Sequence, residues 1–270
     1  RIALSGTPVE NHVGELWNMF DILNPGLLGS RAYFQKNYAL PIEQYIPEAM
    51  ETLKGKVQPF ILRRTRKNVL KELPDSQESN IYVSMTAAER SLYDASRYQA
   101  SKKLKGSFNK KEQSKDRIQI LAEITRLRKL AANFELSEVF KEQSSKSKAV
   151  LDKVQELLEN GHKALIFSQF VTHLNIFENY FKEQGLSYTR LDGSMSHEHR
   201  QQAVEIFNGG QRDLMLISLK AGGFGLNLTT ADFIIHLDPW WNPAVEDQAS
   251  GRALRIGQTK KVNIVRFITE

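Results

Sequence analysis

The second half of the chain alternates two kinds of segment, and this alternation limits its fold more than any other feature. Short apolar runs, KALIFSQF (163–170), YTRLDG (188–193), RDLMLIS (212–218), ADFIIHLD (231–238) and VNIVRFI (262–268), are separated by stretches of helical periodicity. Leu174, Phe177, Tyr180 and Phe181 form one such apolar stripe, and Val204 with Phe207 marks another. Strands spaced by helices predict parallel βαβ units, and near-continuous apolar strands predict a sheet covered on both faces. The expected fold class is therefore α/β, a doubly wound parallel sheet, preceded by a mostly α-helical region.

The first half reads differently. RIALSG (1–6) has the pattern of a strand followed by a turn, and Val13, Leu16, Met19, Phe20 and Leu23 give Val9–Leu23 a helical stripe. NPGLLGS interrupts that helix, and the chain to about Gln143 then reads as helices punctuated by Pro41, Pro47, Pro59 and Pro74. KEQSSKSK (141–148) is polar, lacks an apolar anchor and reads as a linker. No repeat recurs at a period of 20 to 50 residues.

At 270 residues the chain has room for one or two domains. It begins at Arg1 inside one apolar run and stops inside another, so both ends are expected to be cuts in a longer protein. No apolar stretch approaches the roughly 18 residues a membrane span needs, and no leader precedes the first run, so a soluble, cytoplasmic chain is expected, nucleoid or nucleus included. The absence of cysteine excludes disulfides and thiolate metal sites and suits a reducing compartment. The net charge is +6, but residues 97–129 hold eleven Lys/Arg against three acids, a local +8 that leaves −2 elsewhere. Such a basic segment suits either a polyanion partner or a solvated helix face.

Four stretches carry candidate chemistry. In DQASGRALRIGQTKK (247–261), a helix would place Gln248, Arg252 and Arg255 on one face, where two like charges repel by a few tenths of a kcal/mol, roughly. An anion would offset that, and so would the dipole of a helix stopped at Gly257. SLKAGGFGLNLTTAD (218–232) follows a strand, and Gly222, Gly223 and Gly225 free its backbone to approach an anion or merely to turn. It has the spacing of neither a P-loop nor a dinucleotide fingerprint. In SQF (168–170), Ser168 is a candidate helix cap at a helix start that could also hold phosphate. The tryptophans of DPWWNPAVEDQ (238–248) suit the core or, if exposed, stacking on a nucleotide. Asp192 and Asp238 form no evident acid/base pair, His197 and His199 lie on different faces of any helix, and no metal-ligand or G-x-S-x-G pattern occurs.

Six blocks, LSGTPVEN (4–11), PFILRRTRKNVLKELP (59–74), ALIFSQF (164–170), RLDGSM (190–195), LISLKAGGFGLNLTTADFIIHLDPWWNP (216–243) and DQASGRALRIGQTKKV (247–262), resemble in order the motifs of Swi/Snf-type DNA-translocating ATPases. These motors belong to helicase superfamily two and have two RecA-like lobes. The resemblance spans nearly the whole chain. It implies that residues 1–25 are the end of the first RecA-like lobe, 26–145 a helical protrusion region, and 146–270 the second RecA-like lobe, the helicase C-terminal domain. The family's P-loop and magnesium carboxylates precede the SGTP block and do not occur here, so the isolated chain is expected not to hydrolyse ATP.

The same resemblance assigns roles. Arg252 and Arg255 match arginine fingers, with Gln248 and Gly251 beside them, and Gly225 and Asn227 match positions that couple nucleotide to the second lobe. Ser168, Gln169, Ser218, Lys220 and Trp241 match contacts to the tracked DNA strand, with Asp192 and Gly193 in a neighbouring loop. The implied cofactor is ATP with Mg²⁺, held mainly by the first lobe. The implied partners are double-stranded DNA, that lobe of the same protein and a DNA-bound protein substrate, with no membrane and no metal site of the chain's own. Two departures stand out: Leu254 occupies a position where the family usually has histidine, and RLRKLAANFELSE (126–138) follows the family's helix only in part. The alternative reading is a non-catalytic nucleic-acid or protein interaction module.

Overall fold

The computed structural model describes residues 1–6, 8, 9, 12–64, 74–107, 113–221 and 226–270, without the side chains of 105–107 and 113–117. It divides into two compact units, Arg1–Glu72 and Leu73–Glu270.

The first unit is helical: α1 (Gly14–Leu23), α2 (Arg31–Phe34), a π-helix (Gln35–Ala39), α3 (Leu40–Glu43) and α4 (Pro47–Val57). Ser30 caps α2 by accepting a hydrogen bond from the Tyr33 amide. Leu16 and Phe20 of α1 meet Leu28, Phe34, Tyr38, Leu53 and Val57 in a small core, which explains the apolar stripe of α1. RIALSG does not form the expected strand. Residues 1–6 are exposed, and no described strand pairs with them, so their backbone lacks the ladder a strand requires.

The second unit is built on one six-stranded parallel sheet: β1 (Ser76–Val83), β2 (Ala164–Ser168), β3 (Tyr188–Leu191), β4 (Leu214–Ser218), β5 (Phe233–His236) and β6 (Val262–Thr269). The order across the sheet is β1-β6-β5-β2-β4-β3. Its helices are α5 (Ala87–Ser107), α6 (Gln113–Ala132), α7 (Ser145–Glu159), α8 (Val171–Glu183), α9 (His197–Asn208) and α10 (Pro243–Ser250). Strand pleating sends Ala164 and Ile166 to one face, against Val150 and Val154 of α7 and Leu174 and Phe177 of α8. Leu165 and Phe167 point to the other face, against Ala203 and Phe207 of α9 and Ala249 of α10. Burial on both faces accounts for the uniformly apolar runs, and the doubly wound reading stands.

Two parts of the expected helical region differ. Ser76–Val83 is a strand, paired with β6 from Ser76↔Val262 to Val83↔Thr269. As an edge strand it is mostly exposed, so SQESNIYV lacks the apolar alternation that marks a half-buried strand. KEQSSKSK is not a free linker either, because its second half opens α7. The Ser144 hydroxyl caps that helix through the Ser147 amide at 3.0 Å. The amide and hydroxyl of Ser145 donate to the buried Glu89 carboxylate at 2.9 and 2.8 Å, and Glu89 also caps α5 through the Thr86 amide at 2.8 Å. Lys146, 2% exposed, donates to the carbonyls of Ala131, Leu237 and Phe267 at 3.1 to 3.4 Å. Serines and a lysine read as solvent-seeking in one dimension, yet here they satisfy helix ends and strand carbonyls inside the fold.

Candidate functional site

Parallel strands deliver their carboxyl ends to one rim of the sheet, and Ser168, Gln169, Asp192, Gly193, Ser218, Lys220 and Trp241 stand at or follow those ends. At the ends of β2 and β5, the Ser168 hydroxyl donates to Asp238 at 2.5 Å, and the Gln169 amide donates to the other carboxylate oxygen at 3.1 Å. His173 Nδ1 lies 3.2 Å from Asp238, and its Nε2 lies 3.2 Å from Asn133, whose amide donates to Ser147 at 2.8 Å. Ser168, Asp238, His173, Asn133 and Ser147 are all buried. This network locks the β2 corner to the residues after α6 and to the start of α7. Ser168 is thus no helix cap; Phe170 occupies that position without a side-chain cap.

Outside the network the rim is basic and aromatic. Gln169 is half-buried and accepts a hydrogen bond from Arg128 at 2.5 Å, while the Arg128 guanidinium lies 4.8 Å from the Trp240 ring centre. Trp240 is held by its amide on Glu246 at 2.7 Å, and Glu246 is in turn paired with Arg266 at 2.8 Å. Trp241, 63% exposed, presents its ring 5.9 Å from that of Trp240. Lys129 lies 5.9 Å from the Phe170 ring. Arg128 and Lys129 were not singled out as site residues, although the charge count over residues 97–129 contained them. What the sequence lacked was the docking of the last turn of α6 on the strand ends.

At the end of β4, Ser218 is buried and accepts from the Ala221 amide at 3.3 Å, whereas Lys220 is exposed. Gly225, with Gly222 and Gly223, lies outside the described residues. Asn227 is exposed, and its carbonyl accepts from the Asn208 side chain at 2.9 Å. Beyond β3, Asp192 is buried. Burial pushes its pKa up, but hydrogen bonds from Ser194 and the Arg190 guanidinium outweigh that and hold it below the ordinary aspartate value. Gly193 is exposed, and its carbonyl accepts from Arg200 at 3.1 Å.

The arginine segment departs from the expected helix. Asn242 caps α10, which ends at Ser250, so Gln248 is helical while Arg252 and Arg255 lie in the turns that follow. The shared helical face does not exist. The chain must reach the start of β6 at Val262, and Gly257, at a φ of 102°, makes the turn. Arg252 is 5% exposed, and its carbonyl accepts from the Leu228 amide at 3.1 Å. Arg255 is half-buried and donates to the Leu226 carbonyl at 3.1 Å, which sets its guanidinium at the C-terminal end of the glycine-rich segment. Gly251 is buried and Gln248 half-buried. Leu254 packs against the core of the α9–α10 face, so the family's polar position carries an apolar anchor in this chain. His236, fully buried at the end of β5, contacts the Ser250 hydroxyl at 3.1 Å; burial lowers its pKa to about 4, so it is neutral. No group of metal-ligating residues occurs among the described residues, and no described helix is long and apolar enough to cross a membrane.

Residues 1–136 match the model of the SNF2-related domain, and residues 147–257 match that of the helicase conserved C-terminal domain. The chain belongs to the SNF2-related family. An uncharacterized ATP-dependent helicase of Mycoplasma pneumoniae is 38% identical over 270 residues, covering 100% of this chain and 25% of that protein. The ISWI chromatin-remodeling complex ATPase ISW2 of Saccharomyces cerevisiae is 33% identical over 288 residues, again 100% of this chain and 25% of the other. This SNF2-related chain therefore spans about a quarter of the length of these relatives. Its fold is similar to the Sulfolobus solfataricus SWI2/SNF2 ATPase core in complex with double-stranded DNA, with a TM-score of 0.62 and 34% identity over 100% of this chain and 57% of that one. The parallel sheet with flanking helices is accordingly the C-terminal RecA-like lobe of an SNF2 core.

Proposed function

We propose that this chain is the C-terminal part of an ATP-dependent double-stranded DNA translocase that moves or remodels DNA-bound protein inside the cell. The observation that carries the nucleotide half of this reading is Arg255, half-buried and tied to the carbonyl of Leu226 beside the glycine-rich segment. A guanidinium held there suits an oxyanion, and its planar fork can pair with phosphate in two directions. Residues 1–25 then complete the first lobe, 26–145 form the protrusions, and 146–270 form the second lobe.

ATP with Mg²⁺, held mainly by the first lobe, supplies a phosphoryl group on which charge builds during hydrolysis. Arg255, with Arg252, stabilises that charge, and the isolated chain is inactive because its own residues hold neither P-loop nor magnesium carboxylates. Gln248 and Gly251 shape the approach to the fingers, and Gly225 with Asn227 links nucleotide to the rim. On the DNA side, Gln169, Gly193, Lys220 and Trp241 contact the sugar–phosphate track, while buried Ser168, Asp192 and Ser218 fix the loops that carry them. Contacts of this kind carry no base readout, as a motor that moves along any sequence requires.

The test uses the full-length protein. Arg255→Ala is expected to lower DNA-stimulated ATP hydrolysis by about 10³ or more, within the range such fingers contribute. Unchanged hydrolysis overturns the assignment.

A further inference from the structure

Among the described residues, β3 forms one edge of the sheet and pairs with β4 alone. The opposite edge, β1, is mostly exposed and carries Glu78 and Gln77, whereas β3 is a four-residue strand whose one charged residue, Arg190, is turned to Glu178 and Asp192. Beside this edge runs a groove of about 350 Å³, with Thr189 of the strand on one side and Ala203 and Ile206 of α9 on the other. Thr189 is only 8% exposed, yet its hydroxyl has no hydrogen-bond partner. A buried hydroxyl left without a partner is costly, and a ligand that supplies one removes the cost. Met195 and Ile206 give the groove an apolar wall, Arg212 and His199 stand at its rim, and none of its lining residues is acidic.

We propose that this edge and groove bind an extended, acidic peptide segment of another protein by strand addition. Its main chain would pair with the free side of β3, one apolar side chain would enter beside Ala203 and Ile206, and a carboxylate would meet Arg212. Main-chain pairing supplies affinity and the alternate side chains supply selectivity. This surface adjoins the Asp192–Gly193 loop assigned to DNA, but the proposal does not depend on that assignment.

Fluorescence anisotropy with the full chain and a labelled acetyl-Val-Glu-Val-Asp-Val-amide probe tests the idea. Saturable binding is expected, at least fivefold weaker for a Val-Lys-Val-Lys-Val probe and for Arg212→Glu, a change at an exposed residue that leaves the core intact. N-methylation of alternate probe amides is expected to abolish binding, and hydrogen exchange at residues 188–191 should slow when the unmodified probe is bound. Equal binding of the two charge types, binding that survives N-methylation, or no saturable binding overturns the proposal. So does a concentration-dependent dimer that itself protects residues 188–191, which would assign the edge to a second copy of the chain.

Discussion

At the ends of β2 and β5, Asp238 is 2% exposed and gathers the Ser168 hydroxyl, the Gln169 amide and His173, whose far nitrogen continues to Asn133. A few residues on, the segment from Gly251 to Gly257 leaves its helix, turns twice and carries a half-buried arginine held to a carbonyl next to the glycine-rich stretch. The first region spends its polar groups on itself and presents only its outer shell. The second holds a half-buried guanidinium against the carbonyl that follows the glycine-rich stretch. Under the proposed function, the corner would position the DNA contacts and the turn would carry a guanidinium toward the nucleotide.

The comparison breaks most sharply at Arg255. In the full-length protein, Arg255→Ala should remove about 4 kcal/mol of barrier lowering, the equivalent of the thousandfold rate loss. The same change should alter the unfolding free energy by less than about 1 kcal/mol, because the residue is half-buried and sits outside the core. Equilibrium denaturation alongside ATPase assays checks both numbers. A stability loss larger than the rate loss would make the turn a second structural corner.

Asp238→Ala should show the reverse balance. It strands a buried hydroxyl, the part-buried Gln169 amide and His173 together, and the expected destabilisation is about 3 kcal/mol, measured by urea unfolding of the second unit. Asp238→Asn keeps one acceptor and should lose about half as much.

Lys146 extends the corner toward β6 and gives it a pH signature. Burial lowers its pKa from 10.5 to about 8, opposed by the Asp238 carboxylate. The folded state therefore releases this proton before the unfolded state does, so stability contributed by the site rises from about pH 8 to about pH 10.5. Below pH 8 both states are protonated and the site contributes no slope. The full rise is about 3 kcal/mol. Lys146→Met should flatten the pH profile in that window, which thermal melts at constant ionic strength would reveal.

These buried polar groups are also where the sequence was hardest to read. The strands β2 to β6 were legible because burial on both faces of a parallel sheet leaves continuous runs such as ALIFS and LMLIS. β1 was not, since an edge strand that is mostly exposed needs no apolar period. The segment with Lys146 read as a linker because a lysine's usual place is in water, and nothing local reveals three carbonyls converging from α6, the residue after β5, and β6. The site followed the same division. Its motifs pointed to the loops after the strands, but a helical spacing would have put Arg252 and Arg255 on a helix that ends at Ser250, and spacing could not bring Arg128 to Gln169 and Trp240. Sequence offsets report neighbours within an element; the rim is made by elements far apart in the chain.

The smallest expected effect separates the two regions most cleanly on the DNA side. Lys220 is exposed at the end of β4, so Lys220→Gln should change stability by no more than about 0.5 kcal/mol. If its ammonium meets one phosphate, the slope of log affinity against log salt should become shallower by about 0.9, the release of one counterion. Asp238→Asn, which displaces the Gln169 corner without removing a cation, should weaken binding at every salt concentration and leave that slope unchanged. The two variants thus distinguish a lost charge from a lost position even where their affinities at one salt concentration coincide. A shallower slope in Asp238→Asn would mean that the corner holds cations such as Arg128 on the phosphates through Gln169, and the contrast between a fixed corner and a working surface would then give way to a single coupled one.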